Sequence, residues 1–183
     1  ITFSSTLKED LSRRDFTVNA LALGRDGVVY DYFDGTKDLE NKKLRTVGKA
    51  EERFREDALR LFRACRFIGQ LDFMADKSLV RGMASAFDRV SGLSLERVRE
   101  EVEKLLVSPF AARGLDLLVR TGLNECSCRI RENGRTEAVK ILPELSHLVD
   151  LPQQKNFHKF DGWYHTLAVV NAAPPTLLLR WAA

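Results

Sequence analysis

Two stretches of the sequence combine arginines and carboxylates at spacings that suit nucleotide recognition. The first is Arg13-Arg14-Asp15-Phe16-Thr17-Val18-Asn19-Ala20. Its guanidiniums could take triphosphate oxygens while Asp15 or Asn19 bonds ribose hydroxyls. The second runs from Arg53 to Phe67 and holds Asp57, Arg60, Arg63 and Arg66. On a continuous helix, Asp57 and Arg60 lie about one turn apart and can present their tips together. A carboxylate accepts a hydrogen bond from the exocyclic amine of cytosine or adenine, and a guanidinium donates to the neighbouring ring nitrogen. Uracil and guanine carry a carbonyl where the amine would be, so the carboxylate meets a second acceptor. Each good contact of this type discriminates by about 1–3 kcal/mol. Arg63 and Arg66 could then hold phosphate oxygens through bidentate bonds. Taken alone, Asp57-x-x-Arg60 is also the spacing of an ordinary helix ion pair, worth a few tenths of a kcal/mol. Arg13–Ala20 alone reads equally well as a surface loop with a local ion pair.

The elements that must position these residues are mostly helical. From Phe54 the apolar residues Ala58, Leu61, Phe62, Cys65 and Ile68 keep to one helical face, with Arg60, Arg63 and Arg66 opposite. Residues 76–90 form a second amphipathic segment. Ser94 fits the N-cap of a third helix whose buried stripe is Val98, Val102, Leu105 and Leu106, ended by Ser108-Pro109. Residues 110–122 read as a helix closed by Gly122, residues 123–136 as loop, and residues 137–150 and 162–183 as short helices broken by Pro152 and Pro174-Pro175. Upstream, Ile1-Thr2-Phe3 could end a strand, Leu7–Leu23 fits a helix, and residues 28–32 a short strand. The reading is a mainly α chain with a small β-containing N-terminal piece.

Composition sets broad limits. The 183 residues suffice for one domain or two small lobes, and 44% hydrophobic with 30% charged residues is ordinary for a soluble globular chain. The net charge of +3 gives little support for nucleic-acid binding by itself; the clustering of arginine matters more. Cys65, Cys126 and Cys128 make an odd set that suggests no disulfide framework and favours a cytoplasmic setting. Cys126-Ser127-Cys128 is too close for a zinc knuckle. No apolar run approaches the roughly 20 residues that span a bilayer. The chain opens at Ile1 and closes inside an apolar helical pattern, so both ends read as cut.

Together the motifs resemble a known family. Arg13–Ala20 matches the second conserved motif of class II tRNA nucleotidyltransferases, which include the CCA-adding enzymes and bacterial poly(A) polymerases. Asp34-Gly35-Thr36-Lys37-Asp38-Leu39 resembles their third motif, joining head to neck. Arg53–Arg60 with Arg63 and Arg66 resembles the fourth, an amino-acid template. Ser94–Glu101 resembles the fifth, a structural neck helix. The resemblance implies the C-terminal part of a polymerase-beta-like α/β head over residues 1–47, a helical neck over 48–107 and a helical body over 108–183. It implies template-independent addition of CMP or AMP to the 3′ end of tRNA from CTP and ATP, with Mg2+ at two metal positions. Asp57 and Arg60 would read the base, Arg14, Arg63 and Arg66 would contact the nucleotide or its phosphates, and Asp15 the ribose. Asn19 is a weaker candidate, and Glu56 would orient Arg60 or a neighbouring arginine.

One departure is large. The family's first motif, Gly-Ser followed by Arg and an Asp-x-Asp pair, belongs upstream of Arg13, and no Asp-x-Asp occurs in the sequence. The chain therefore reads as an internal piece, inactive by itself, whose metal ligands lie elsewhere. At the other end, His158–Leu167 resembles the entry to an HD-type phosphohydrolase, with His165 as first ligand; a packing histidine is the simpler reading. Poly(A) polymerase, a noncatalytic RNA-binding piece and an HD-type phosphohydrolase are the alternatives.

Overall fold

The computed structural model describes residues 6–152 and 161–183; the expected strand end at Ile1–Phe3 lies outside them. Helix α1 (Leu7–Ser12) starts at Thr6, whose hydroxyl accepts the Glu9 N–H at 3.2 Å while the Glu9 carboxylate accepts the Thr6 N–H at 3.3 Å. The expected helix over Leu7–Leu23 is corrected: it stops at Ser12. Asp15 and Phe16 turn inward to 6% and 0% exposure, and Phe16 pairs antiparallel with Thr46. Burying a phenylalanine is worth about 1.5–3 kcal/mol, more than continuing a helix through β-branched Thr17 and Val18 would gain. A 3₁₀ turn at Thr17–Asn19 leads to β1 (Leu21–Leu23), which pairs antiparallel with β2 (Val29–Asp31).

The chain leaves β2 through a tight junction. The Asp31 carboxylate accepts the N–H groups of Phe33, Gly35 and Thr36 and the Thr36 hydroxyl. Partial burial raises its pKa, but these donors outweigh it and bring it to about 2. Helix α2 (Gly35–Glu40) then packs on the 3₁₀ turn. A Cβ at Gly35 would lie 2.2 Å from the Thr17 carbonyl oxygen, so only glycine fits. Buried Asp38 accepts the Thr17 hydroxyl at 2.6 Å and Arg45 Nε at 2.9 Å. This ties α2 to the 3₁₀ turn and to the chain leaving β3 (Lys43–Leu44).

The arginine-rich stretch is a broken helix, which corrects the continuous one expected. Helix α3 (Ala50–Glu56) ends at Asp57, extended at φ −149° and ψ 106°, and α4 (Leu59–Leu71) begins two residues later. Asp57 accepts the Leu59 N–H at 3.0 Å, the local side-chain bond by which aspartate competes with helix continuation. Strand β4 (Met74–Ala75) runs parallel to β3. There follow α5 (Lys77–Met83), a 3₁₀ turn at Ala84–Ala86, α6 (Phe87–Val90), α7 (Leu95–Leu106) and α8 (Ala111–Arg120). Helices α4, α7 and α8 share the core, with Leu61, Phe62, Cys65, Val102, Leu105 and Leu118 buried. A Cβ at Gly114 of α8 would sit 2.2 Å from the Cys65 carbonyl oxygen of α4.

Beyond Gly122, residues expected as loop form a hairpin instead: β5 (Ser127–Glu132) pairs antiparallel with β6 (Arg135–Lys140). The expected helix from 137 is likewise corrected to the second strand and a 3₁₀ turn at Pro143–Leu148. Asn133 and Gly134 both have positive φ, 49° and 78°, which matches a two-residue type I′ turn. Helices α9 (Gly162–Ala172) and α10 (Leu177–Ala182) follow; Trp163 of α9 donates to Asp116 of α8 at 2.9 Å.

Candidate nucleotide-binding site

Helix α4 lies beside the Arg13–Asn19 segment and is bonded to it. Arg63 Nε donates to Asp15 Oδ2 at 2.5 Å, and Arg60 Nη2 donates to the Arg13 carbonyl at 3.1 Å. From α3, Arg53 adds a bond to the Ser12 carbonyl at 2.7 Å. The two chemically suggestive stretches, some 40 residues apart in sequence, therefore form one surface.

Asp15 is the centre of this contact. Besides Arg63 it accepts Asn19 Nδ2 at 2.6 Å and the Phe16 N–H at 3.0 Å. Burial raises its pKa, but Arg63, Asn19 and Phe16 together hold the carboxyl below its ordinary value. Asn19 thus positions Asp15. Arg14 is exposed and pairs with Asp10 at 3.2 Å, each side chain 53% exposed, a contact too weak to hold it against a ligand.

Asp57 and Arg60 occupy the α3–α4 junction. Glu56 accepts Arg60 Nη1 at 2.6 Å and Arg53 Nη1 at 2.8 Å. Arg60 Nη1 also donates to the Arg53 carbonyl at 2.9 Å. Asp57 keeps a half-exposed carboxylate, with Arg97 of α7 3.6 Å away. Arg66 differs from the other arginines. It is 9% exposed, and its Nη1 lies 3.1 Å from Oε1 and 3.0 Å from Oε2 of buried Glu101 on α7. Burial lowers its pKa and Glu101 opposes the fall. Its guanidinium also lies 4.9 Å from the Phe67 ring centroid. Arg66 as found braces α4 on α7.

Sequence reasoning missed Arg53, Arg97 and Glu101 as partners. Arg97 and Glu101 are four residues apart, so α7 presents them on one side toward Asp57 and Arg66; the spacing was legible. Their partners belong to tertiary packing. Among the described residues no group of three or more His, Cys, Asp or Glu could hold a metal. With no Asp-x-Asp in the sequence, the residues present do not fit the expected Mg2+ site. His158 lies outside the described residues, and His165 is half-buried on α9. No helix among the described residues is long and apolar enough to cross a membrane.

Residues 1–45 match a family model described as poly A polymerase head domain, and residues 72–126 one described as probable RNA and SrmB-binding site of polymerase A. The CCA-adding enzyme of Geobacillus stearothermophilus is 47% identical over 68% of this chain and 31% of its own length. That of Lactobacillus johnsonii is 42% identical over 92% of this chain and 46% of its own. The crystal structure of the Bacillus stearothermophilus CCA-adding enzyme in complex with CTP superposes with a TM-score of 0.65, at 47% identity, covering 67% of this chain and 31% of that one. The chain thus spans about a third to a half of the length of these curated relatives.

Proposed function

We propose that this chain, which belongs to the family of class II tRNA nucleotidyltransferases and bacterial poly(A) polymerases, selects the incoming CTP or ATP for addition to the 3′ end of tRNA. The observation that carries this reading is the bonding of α4 to the Arg13–Asn19 segment through Arg60 and Arg63. It puts Arg60, Arg63 and the Arg13–Asn19 segment on one surface, which supports a shared nucleotide site. In this reading Asp57 accepts from the exocyclic amine of cytosine or adenine and Arg60 donates to the adjacent ring nitrogen. Arg14 and Arg63 take phosphate oxygens, Asp15 bonds the ribose, and Glu56 and Asn19 hold their neighbours in register. Arg66, tied to Glu101, supports the helix instead of touching the nucleotide. Residues 1–47 would belong to the head, 48–107 to the neck and 108–183 to the body.

Mg2+ would stabilise the attacking hydroxyl and the leaving pyrophosphate in this chemistry. The residues of this chain do not supply its ligands, so they are assigned selection and positioning only. The free cysteines support a cytoplasmic setting. Relatives named CCA-adding enzymes favour tRNA over messenger RNA as the acceptor. The test is equilibrium titration of the four ribonucleoside triphosphates into the chain, beside an incorporation assay on tRNA lacking its terminal CCA. CTP and ATP should bind about tenfold or more tighter than UTP and GTP, without incorporation. Equal binding of all four, or polymerisation by this chain alone, contradicts the assignment.

A further inference from the structure

The hairpin β5–β6 carries basic side chains and no carboxylate on one of its two faces. Strand alternation places Cys128, Glu132, Arg135, Glu137 and Val139 on one side and Arg129, Arg131, Thr136 and Lys140 on the other. The first side buries Cys128 and packs Val139 against the core. The second carries no carboxylate. Lys140 is engaged by Glu125 at 3.2 Å, but neither Arg129 nor Arg131 pairs with a carboxylate among the described residues. Two like charges held two positions apart on one strand, about 6.8 Å, repel each other unless an anion lies between them. Together with Thr136 and with Ser94 and Glu96 of α7, they line a cleft of about 240 Å³.

We propose that this face binds backbone phosphates of the RNA whose 3′ end is presented to the nucleotide site. The inference rests on the function proposed above and extends it to a surface that reading does not use. Position favours RNA over an acidic protein. Arg97, the residue after Glu96, lies 3.6 Å from the Asp57 carboxylate, so the first turn of α7 links the cleft to the base-reading pair. The segment described as a probable RNA and SrmB-binding site ends at residue 126, and β5 begins at the next one. Arginine pairs phosphate with bidentate geometry, and the hydroxyls of Ser94 and Thr136 can add neutral bonds. Glu96 is the one carboxylate in the cleft, and it opposes an anion.

The test is filter binding of the chain to a tRNA transcript lacking its terminal CCA, over a range of KCl concentrations. Arg129→Ala/Arg131→Ala should raise Kd about fivefold to thirtyfold and lower the slope of log K against log salt by about 1.5–2. Glu96→Gln should lower Kd about twofold. Arg129→Lys/Arg131→Lys should keep most of the wild-type salt slope, because charge is kept, and raise Kd less than the alanine variant does, because only the bidentate geometry is lost. All three variants should bind CTP as the wild type does. Unchanged affinity and slope in the alanine variant overturn the proposal, as does an equal loss in the lysine variant or loss of poly-glutamate binding in place of RNA. If base-selective CTP binding persists while the alanine variant binds tRNA normally, only this inference fails. If the wild type shows no base preference, the proposed function fails instead.

Discussion

Asp15 shows how little of a residue's role its sequence neighbourhood decides. It looks like one member of a surface ion pair, yet it is buried and accepts from Arg63, Asn19 and the Phe16 N–H. Asp15→Asn should cost about 1–3 kcal/mol at neutral pH, measured by urea unfolding. The folded pKa lies below the unfolded one, so this stability is present above about pH 4 and disappears as pH falls through the folded value. The difference between wild type and variant should therefore shrink in acid; a constant difference would contradict the pairing. Arg66 and Glu101 make the complementary case. Glu101→Leu leaves a buried guanidinium unpaired and should cost about 3–5 kcal/mol. Arg66→Met/Glu101→Leu should recover most of that loss, and failure to recover would mean that the pair does more than brace α4 on α7. The arginine-carboxylate chemistry was legible in residue type and spacing. The division between Arg63, bonded to Asp15, and Arg66, bonded to Glu101, was not, because both repeat every three residues on one helix and only the packing of α7 separates them.

At the scale of elements, breaks carry the information. The helical pattern from Arg53 to Phe67 is continuous in sequence, but Asp57 interrupts it by bonding the Leu59 N–H. The break leaves the Asp57 carboxylate half-exposed between α4 and α7 instead of stacked under Arg60. The hairpin β5–β6 was legible in principle: Asn133-Gly134 is a strong type I′ signal, but the polar outward positions on both strands obscured the alternation. The stop of α1 at Ser12 was not legible, since it depends on where Phe16 is buried. Gly35 and Gly114 each allow a close approach to a backbone carbonyl. Gly35→Ala should cost about 1–3 kcal/mol, because its Cβ would meet the Thr17 carbonyl at 2.2 Å. Thermal unfolding should show a Tm several degrees lower; an unchanged Tm would mean that α2 can shift away from the 3₁₀ turn at no cost.

For the whole molecule, the central claim is that one surface, built from the Arg13–Asn19 segment, the α3–α4 junction and α4, reads the base of the incoming nucleotide. Its parts are bonded directly to each other, and α7 with α8 supply the buried support. The most direct measurement is the base preference of the wild type, Asp57→Ala and Arg60→Ala, from calorimetric titration with CTP, ATP, UTP and GTP. Either substitution should remove about 1–3 kcal/mol of discrimination, bringing UTP and GTP close to CTP and ATP while tRNA affinity changes little. A preference for CTP and ATP that survives both substitutions would contradict the claim.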